Sequence, residues 1–160
     1  MSGSDKQPMT KEGKAKLEEE LKQLITVERP NVIKAIEEAR SHGDLSENAD
    51  YDAAKERQGF IEARIGEIQS KIANAEVIDP GTIKSDKIVF GASVTLMDLD
   101  TDEEKTYKIV GEDEADANNG LISVFSPLAR VMIGKKNGDV VEFQTPKGER
   151  ELEVVDFSFK

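Results

Sequence analysis

The sequence predicts an α+β protein, with an N-terminal antiparallel α-helical coiled-coil hairpin followed by a small β-sheet domain bearing one short helix. Three observations carry this expectation. Residues 10 to about 77 are rich in Ala, Glu, Lys, Leu, Ile and Gln, whereas residues 80–160 are rich in Val, Thr, Gly and Asp in short alternating runs. Ile61, Ile65, Ile68 and Ile72 recur at the 4-3-4 spacing of a heptad seam. Between the two compositions stands Asp79-Pro80-Gly81, a strong turn signal. The expected division is therefore a flexible leader over 1–8, a coiled coil with an acidic tip over 9–79, and a globular domain over 80–160.

Each element has its own local reason. Met1 to Pro8 is polar and lacks the apolar stretch of about 7–15 residues that a secretory signal needs. Thr10 can cap the first helix, because its hydroxyl accepts from free N–H groups of the first turn. Leu17, Leu21 and Leu24 form a stripe, and Ile36 and Ala39 resume it after Pro30. Pro30 lacks an N–H, so a kink or break is expected near residues 26–30. A second helix from about Ser46 carries Ala54, Ile61, Ile65, Ile68, Ile72 and Ala75. Arms of about 30 residues give a hairpin of about 45 Å. The stripe reads as packing between the arms, with Glu18, Glu19, Glu20, Lys34, Glu37 and Glu38 on a solvated face.

Beyond residue 80, five strands are expected, at Val94–Asp98, Lys105–Val110, Leu121–Val124, Val140–Phe143 and Leu152–Val155. Residues 100–103 and 118–120 read as the loops between them. Pro127 to Ile133 reads as a short helix with Ser126 as its cap and Pro127 at its first position. Gly134, or the Gly138-Asp139 turn, ends that unit.

Composition narrows the chemistry. There is no Cys, which removes disulfides, Cys-ligated metals and thiol nucleophiles, and fits a reducing cytoplasm. A single His, His42, removes most histidine metal sites and any catalytic triad not built on it. No glycine-rich phosphate-binding fingerprint is present. The formal net charge is −11, split as −5 over residues 1–79 and −6 over 80–160, which opposes generic binding to duplex DNA. No apolar run approaches the roughly 20 residues of a membrane span.

The one chemical constellation lies at the hairpin turn, His42-Gly-Asp-Leu-Ser-Glu-Asn-Ala-Asp-Tyr51. Asp44, Glu47 and Asp50 sit three apart. Two carboxylates suit a hard cation such as Mg²⁺ but are too few for a self-contained site, so they could complete one on another molecule. The competing explanation is structural: Asp44-Leu-Ser-Glu47 resembles a capping box with an acidic N-cap and Glu at N3. His42 beside Gly43 reads as an exposed residue closing the first helix. Tyr51 suits either packing or function. Arg40 and Lys55 flank the tip, as solvated charges or as a local basic patch that steers a nucleic-acid end.

The run Gly43–Tyr51 resembles the signature of the bacterial GreA/GreB transcript cleavage factors. The resemblance extends to Met9-Thr10 with Gly13 and Leu17, Arg29-Pro30, Ala39-Arg40, Ile72–Ala75, and Val77-Ile78-Asp79. In the second half it includes Gly111, Asp113–Asp116, Asn119-Gly120, Ile122-Ser123, Ser126–Arg130, Ile133-Gly134-Lys135, Gly138-Asp139 and Thr145-Pro146. It implies a coiled coil that enters the secondary channel of a backtracked bacterial RNA polymerase. Asp44 and Glu47 would help hold the second Mg²⁺ and a water in the polymerase active centre, with no metal held stably by the isolated protein. The polymerase then cleaves its own transcript, so the chain is an auxiliary factor rather than an enzyme. The resemblance further implies that Arg40, Lys55 and Tyr51 contact the RNA 3′ end. Lys55 stands where Arg is common, which removes bidentate phosphate contact. An FKBP-like fold is implied for the second half, docking on the channel rim through Ser126, Pro127, Leu128, Ala129 and Arg130. A fold of that kind need not bring isomerase activity. The implied state is a cytoplasmic monomer whose association with DNA comes only through the transcription complex.

Within that family the acidic hairpin favours the GreA type, since GreB-like members carry a larger basic patch. A polymerase-inhibiting paralogue would share the architecture with an altered tip. A coiled-coil chaperone or scaffold would use the acidic tip only as a cap, and a free-standing metal nuclease lacks enough clustered ligands.

Overall fold

The computed structural model describes residues 6–43 and 48–160. It divides into two compact units, one of residues 14–74 and one of residues 1–13 with 75–160. The α+β expectation holds, but the boundaries move. The junctions fall after Gly13 and after Asn74 rather than at Asp79-Pro80-Gly81, where Pro80–Thr82 forms a 3₁₀ turn with Pro80 buried. The physical reason is a strand pair that the sequence reading missed. β1 (Gln7–Thr10) lies parallel to β2 (Ala75–Ile78), with Met9 opposite Val77. Gln7 and Pro8 therefore belong to a strand and not to a leader, Ala75 leaves the helical seam, and the helical hairpin is an insertion between two paired strands.

The helices are α1 (Lys11–Gln23), α2 (Arg29–Arg40) and α3 (Ala49–Ala73). Long runs of Ala, Glu, Lys, Gln and Leu make them good helix formers. The chain does not break at Pro30. Leu24–Glu28 winds as a π turn, in which the Arg29 N–H donates to the Leu24 carbonyl five residues back. Such widened turns accommodate the missing N–H and the ring of a following proline. The wide turn also re-phases the stripe, which continues through Val32, a residue with no exposed surface. Val32 packs with Ile61 and Ile65, and with the half-buried Leu21, Leu24 and Ile25. Leu17, Ile36, Ala39, Ala54 and Ile68 are also buried. Each large aliphatic side chain so buried contributes roughly 1.5–3 kcal/mol.

Ion pairs flank this seam. Arg29 makes two 2.8 Å hydrogen bonds to Glu62, Arg57 reaches Glu28 at 2.5 Å, and Arg64 binds Glu20 at 2.6 and 2.8 Å while also pairing with Glu67. The hydrogen bond from Arg64 lowers the Glu20 carboxyl below its ordinary range, and Arg29 does the same to Glu62. Exposed pairs of this kind are screened by water and salt and add little to stability, so the apolar seam holds the arms together.

The other unit holds a five-stranded mixed sheet in the order β5-β4-β3-β7-β6. Its strands are β3 (Ala92–Asp98), β4 (Glu104–Val110), β5 (Leu121–Ser123), β6 (Val140–Thr145) and β7 (Gly148–Phe159). Only β4 and β5 run parallel. α4 (Pro127–Met132) starts at Ser126, whose hydroxyl accepts from the Ala129 N–H at 3.3 Å, as its sequence predicts. Ala129 and Met132 on α4 join Ile88, Val94, Leu96, Ile109 and Val154 in the core.

Thr10 ties the start of α1 to this unit. Its hydroxyl accepts from the Gly13 N–H at 3.0 Å, as the cap reading requires, and donates to Glu114. The Glu114 carboxylate also accepts from the Thr10 N–H and the Gly111 N–H, each at 2.9 Å. Thr10 is 1% exposed, so these bonds have no water to replace them.

Candidate functional site at the hairpin tip and the sheet cavity

The last turn of α2 closes tightly. The His42 N–H donates to the Ala39 carbonyl and the Gly43 N–H to the Arg40 carbonyl, each at 3.2 Å. Gly43 has φ +102°, a left-handed conformation that suits glycine and terminates the helix. Asp44 and Glu47 lie outside the described residues. The predicted capping box nevertheless does not open α3. That helix begins at Ala49, and its N-cap is Asn48, whose side-chain oxygen accepts from the Tyr51 N–H at 3.0 Å. A short polar side chain immediately before Ala49 satisfies the orphan donors, so the start lies four residues beyond an Asp44 cap. The same Asn48 side chain donates to the Ala39 carbonyl at 2.6 Å. Sequence reasoning passed over Asn48, although Asn is among the strongest cap formers.

Arg40 ends α2, and Tyr51 and Lys55 lie one turn apart near the start of α3. Tyr51, Lys55 and Glu62 repeat at four and seven residues along α3, and Arg29, Ile33 and Arg40 at four and seven along α2. The Arg29–Glu62 pair joins those two stripes. Arg40 and Lys55 are exposed and Tyr51 is half-buried. The Lys55 ammonium donates to Gln58 at 3.2 Å, and Arg40 forms no ion pair among the described residues. Two cations and an aromatic ring therefore lie near the described ends of α2 and α3. Among the described residues, no group of three His, Asp or Glu side chains is placed to hold a metal ion.

The sheet unit carries a cavity of about 360 Å³. Leu96, Tyr107, Leu128, Phe143 and Leu152 give it an apolar lining, and Lys105, Lys147, Arg150 and Asp98 stand among its polar residues. Arg150 faces Asp98 and Asp100 at 3.8 and 3.7 Å. Of the predicted docking residues, Leu128 lines this cavity, while Pro127 and Arg130 are exposed. Ser126 serves as the cap of α4. Ala129 is fully buried in the sheet core and offers no surface to a partner. The cavity was legible only as alternating apolar positions on strands whose pairing the sequence does not state.

Known proteins match along nearly the whole chain. The family described as transcription elongation factor, N-terminal, matches residues 7–77, and the GreA/GreB C-terminal family matches residues 83–159. The chain is similar to transcription elongation factor GreA of Syntrophotalea carbinolica, at 62% identity over 95% of this chain and 96% of that one. Its counterpart in Hyphomonas neptunium is 58% identical over 96% and 98%. Among solved structures, GreA factor homolog 1 of Thermus thermophilus aligns with a TM-score of 0.44 at 27% identity, over 95% and 98%. Two family matches that between them leave only short stretches uncovered, together with relatives near 60% identity, show that the chain belongs to the GreA/GreB family of transcription elongation factors.

Proposed function

We propose that the protein binds bacterial RNA polymerase, inserts its hairpin tip into the secondary channel and stimulates the polymerase's own cleavage of backtracked RNA, rescuing arrested complexes. The observation that carries this reading is the cap of α3. Asn48 takes the role that the structural explanation assigned to Asp44 and Glu47, so an acidic pair in this segment is not needed to start the helix. Two carboxylates are a fitting but incomplete donor set for Mg²⁺, which suits a site completed by the polymerase. A second Mg²⁺ there supplies water activation or leaving-oxygen stabilisation in two-metal hydrolysis.

Arg40, Tyr51 and Lys55 together suit an RNA 3′ end. The two cations meet phosphate and the ring offers a stacking face. Lys55 acts there as a point charge. The sheet unit docks on the channel rim, with Pro127, Leu128 and Arg130 at and beside the apolar cavity. The factor works as a cytoplasmic monomer, meets DNA only through the transcription complex, and leaves the hydrolysis to the polymerase.

The pair Asp44→Asn with Glu47→Gln tests the reading. Both replacements keep hydrogen-bonding shape and remove two anionic ligands. The double variant is expected to fold, to compete with the native protein for polymerase, and to lose stimulated cleavage by about 100-fold or more. Losses near this size follow when a positioned catalytic group is removed. Raised Mg²⁺ should restore only part of the rate. Near-normal cleavage in stalled elongation complexes would refute the assignment and leave a scaffold or inhibitor role.

A further inference from the structure

We propose that the cavity of the sheet unit is a binding site for a small organic carboxylate with a flat apolar body. The inference goes beyond the polymerase reading and needs nothing from the hairpin. Its basis is a break in the pattern of the sheet's inner face. On β3 and β7 the register sets Asp98 opposite Leu152 and Leu96 opposite Val154. It sets Lys105 and Tyr107 of β4 opposite Leu96 and Val94, and Phe143 of β6 opposite Arg150. Directly opposed residues share a face, so Lys105 and Arg150 continue the rows that begin with the buried Ile109 and Val154. Two cations therefore stand on the core side of the sheet, where alternation calls for apolar residues, and both line the cavity of about 360 Å³. That volume falls within the roughly 300–1,000 Å³ of small-molecule sites.

The lining selects the ligand class. Leu96 and Leu152 lie on the neighbouring strands β3 and β7 and form an apolar floor, with Tyr107 on β4 to one side and Phe143 on β6 to the other. Such a slot takes a planar ring or a short chain. The charges then fix the sign. Arg150 is engaged by Asp98 and Asp100 at 3.8 and 3.7 Å. Of the other charged lining residues, Lys105 and Lys147 form no ion pair among the described residues and are balanced only by Glu103. This local surplus is positive in a chain with 33 acidic against 22 basic residues. Tyr107 adds a phenol O–H with no hydrogen-bond partner among the described residues. Ammonium and phenol groups both donate to a carboxylate, so apolar walls beside these donors suit a ligand apolar at one end and anionic at the other. A neutral ligand gains nothing from the lysines, and a bare inorganic anion gains nothing from the walls.

The test uses the full chain with naphthoate as the probe, followed by amide NMR shifts at neutral pH and low salt. The shifts should saturate with a dissociation constant of about 1 mM or tighter, as expected for a ligand of this size. They should centre on Leu96, Tyr107, Phe143 and Leu152. Neutral naphthamide should bind about 5- to 10-fold more weakly, the loss of a charge-assisted contact. Acetate at the same concentration should move none of the four amides. Lys105→Gln with Lys147→Gln removes two exposed charges and should weaken naphthoate by the same factor while leaving naphthamide unchanged, a pattern that loss of folding could not mimic. High salt should weaken naphthoate alone. Leu128→Trp should fill the cavity and weaken both probes. Absence of saturable shifts up to about 10 mM would overturn the inference. Equal affinity for naphthoate and naphthamide would also overturn it, marking a purely apolar cavity open to an uncharged group such as a protein side chain. A response to acetate equal to that with naphthoate would reduce the site to an ordinary surface charge and end the proposal. Because no polymerase is present, failure here leaves the reading of transcript cleavage standing.

Discussion

Gly13 stands in the first turn of α1, where alanine is ordinarily the better residue by up to about 1 kcal/mol. Here Gly13→Ala should destabilise the sheet unit, because a Cβ at this position would overlap the carboxyl end of Glu114. The Glu114 side chain can swing away at little steric cost, but it then abandons the Thr10 N–H, the Thr10 hydroxyl and the Gly111 N–H. Hydrogen bonds to a charged acceptor contribute about 1.5–3 kcal/mol each, and a buried donor left unmet costs about 1–3. Losing the equivalent of one or two of these outweighs the helix gain and leaves a net loss of about 2–3 kcal/mol. In a Glu114→Ala background the obstacle is gone, so the same Gly13→Ala should stabilise by up to about 1 kcal/mol. The cycle therefore predicts a change of sign and a coupling of about 3–4 kcal/mol. Urea titration read from amide signals of Ile88, Val94 and Val154 measures the unit directly. Gly111→Ala is the control, since its Cβ would meet the Pro8 carbonyl oxygen at 2.6 Å and removing Glu114 should not rescue it. A Gly13→Ala variant more stable than native in the presence of Glu114 would refute the reasoning.

Two further outcomes concern charge. Arg64 holds Glu20 below its ordinary value of 4.5, so the pair supports the hairpin above that pH and the support is lost as pH falls through the lowered folded-state value. Glu20→Gln should therefore lower the helical melting temperature at neutral pH, with the difference closing in acid; a pH-independent difference would speak against the pair. On the sheet, a hydrogen bond shared with Glu142 and repulsion from Glu142 and Glu151 raise the Glu149 carboxyl above 4.5. Its contribution is favourable below the ordinary carboxylate range and is lost as pH rises through the raised value, so Glu149→Gln should stabilise at neutral pH and low salt. That gain should fade in acid and in high salt, and a salt-insensitive gain would indicate another cause.

Much of the fold is legible in the sequence because it is written locally. The 4-3-4 isoleucine spacing places Ile61, Ile65 and Ile68 in the seam, and Ser126-Pro127 marks the start of α4 within a residue. Features set by distant partners are not. β1 and β2 are four residues each, pair in parallel across the whole hairpin, and carry no period long enough to announce them. Their absence from the sequence reading moved both domain boundaries. Val32 is not among the stripe residues that the sequence names beyond the kink or break expected near residues 26–30, because a π turn changes the phase of a stripe without changing composition. At the tip, Asp44 and Asn48 are both good caps, and only the tertiary contact to Ala39 distinguishes the second. Arg40, Tyr51 and Lys55 were legible singly, as polar or aromatic residues flanking the tip.

The parallel pairing of β1 with β2 also constrains the order of folding. Formed from an open chain, it would close a loop of about 65 residues, an entropy cost of roughly 3–4 kcal/mol before any contact rewards it. The hairpin removes most of that cost. Its contacts build outward from a turn, and helices elongate within microseconds, so the arms can zip before the strands meet. Once zipped, an antiparallel pair returns the chain to its starting point, where Ala75 can lie opposite Gln7 and Ile78 opposite Thr10. During synthesis the hairpin leaves the ribosome complete, whereas β7, flanked by β3 and β6 within the sheet, is the last strand made. Slow or failed zipping should therefore appear as misfolding of the sheet unit, although the lesion would lie in the helices.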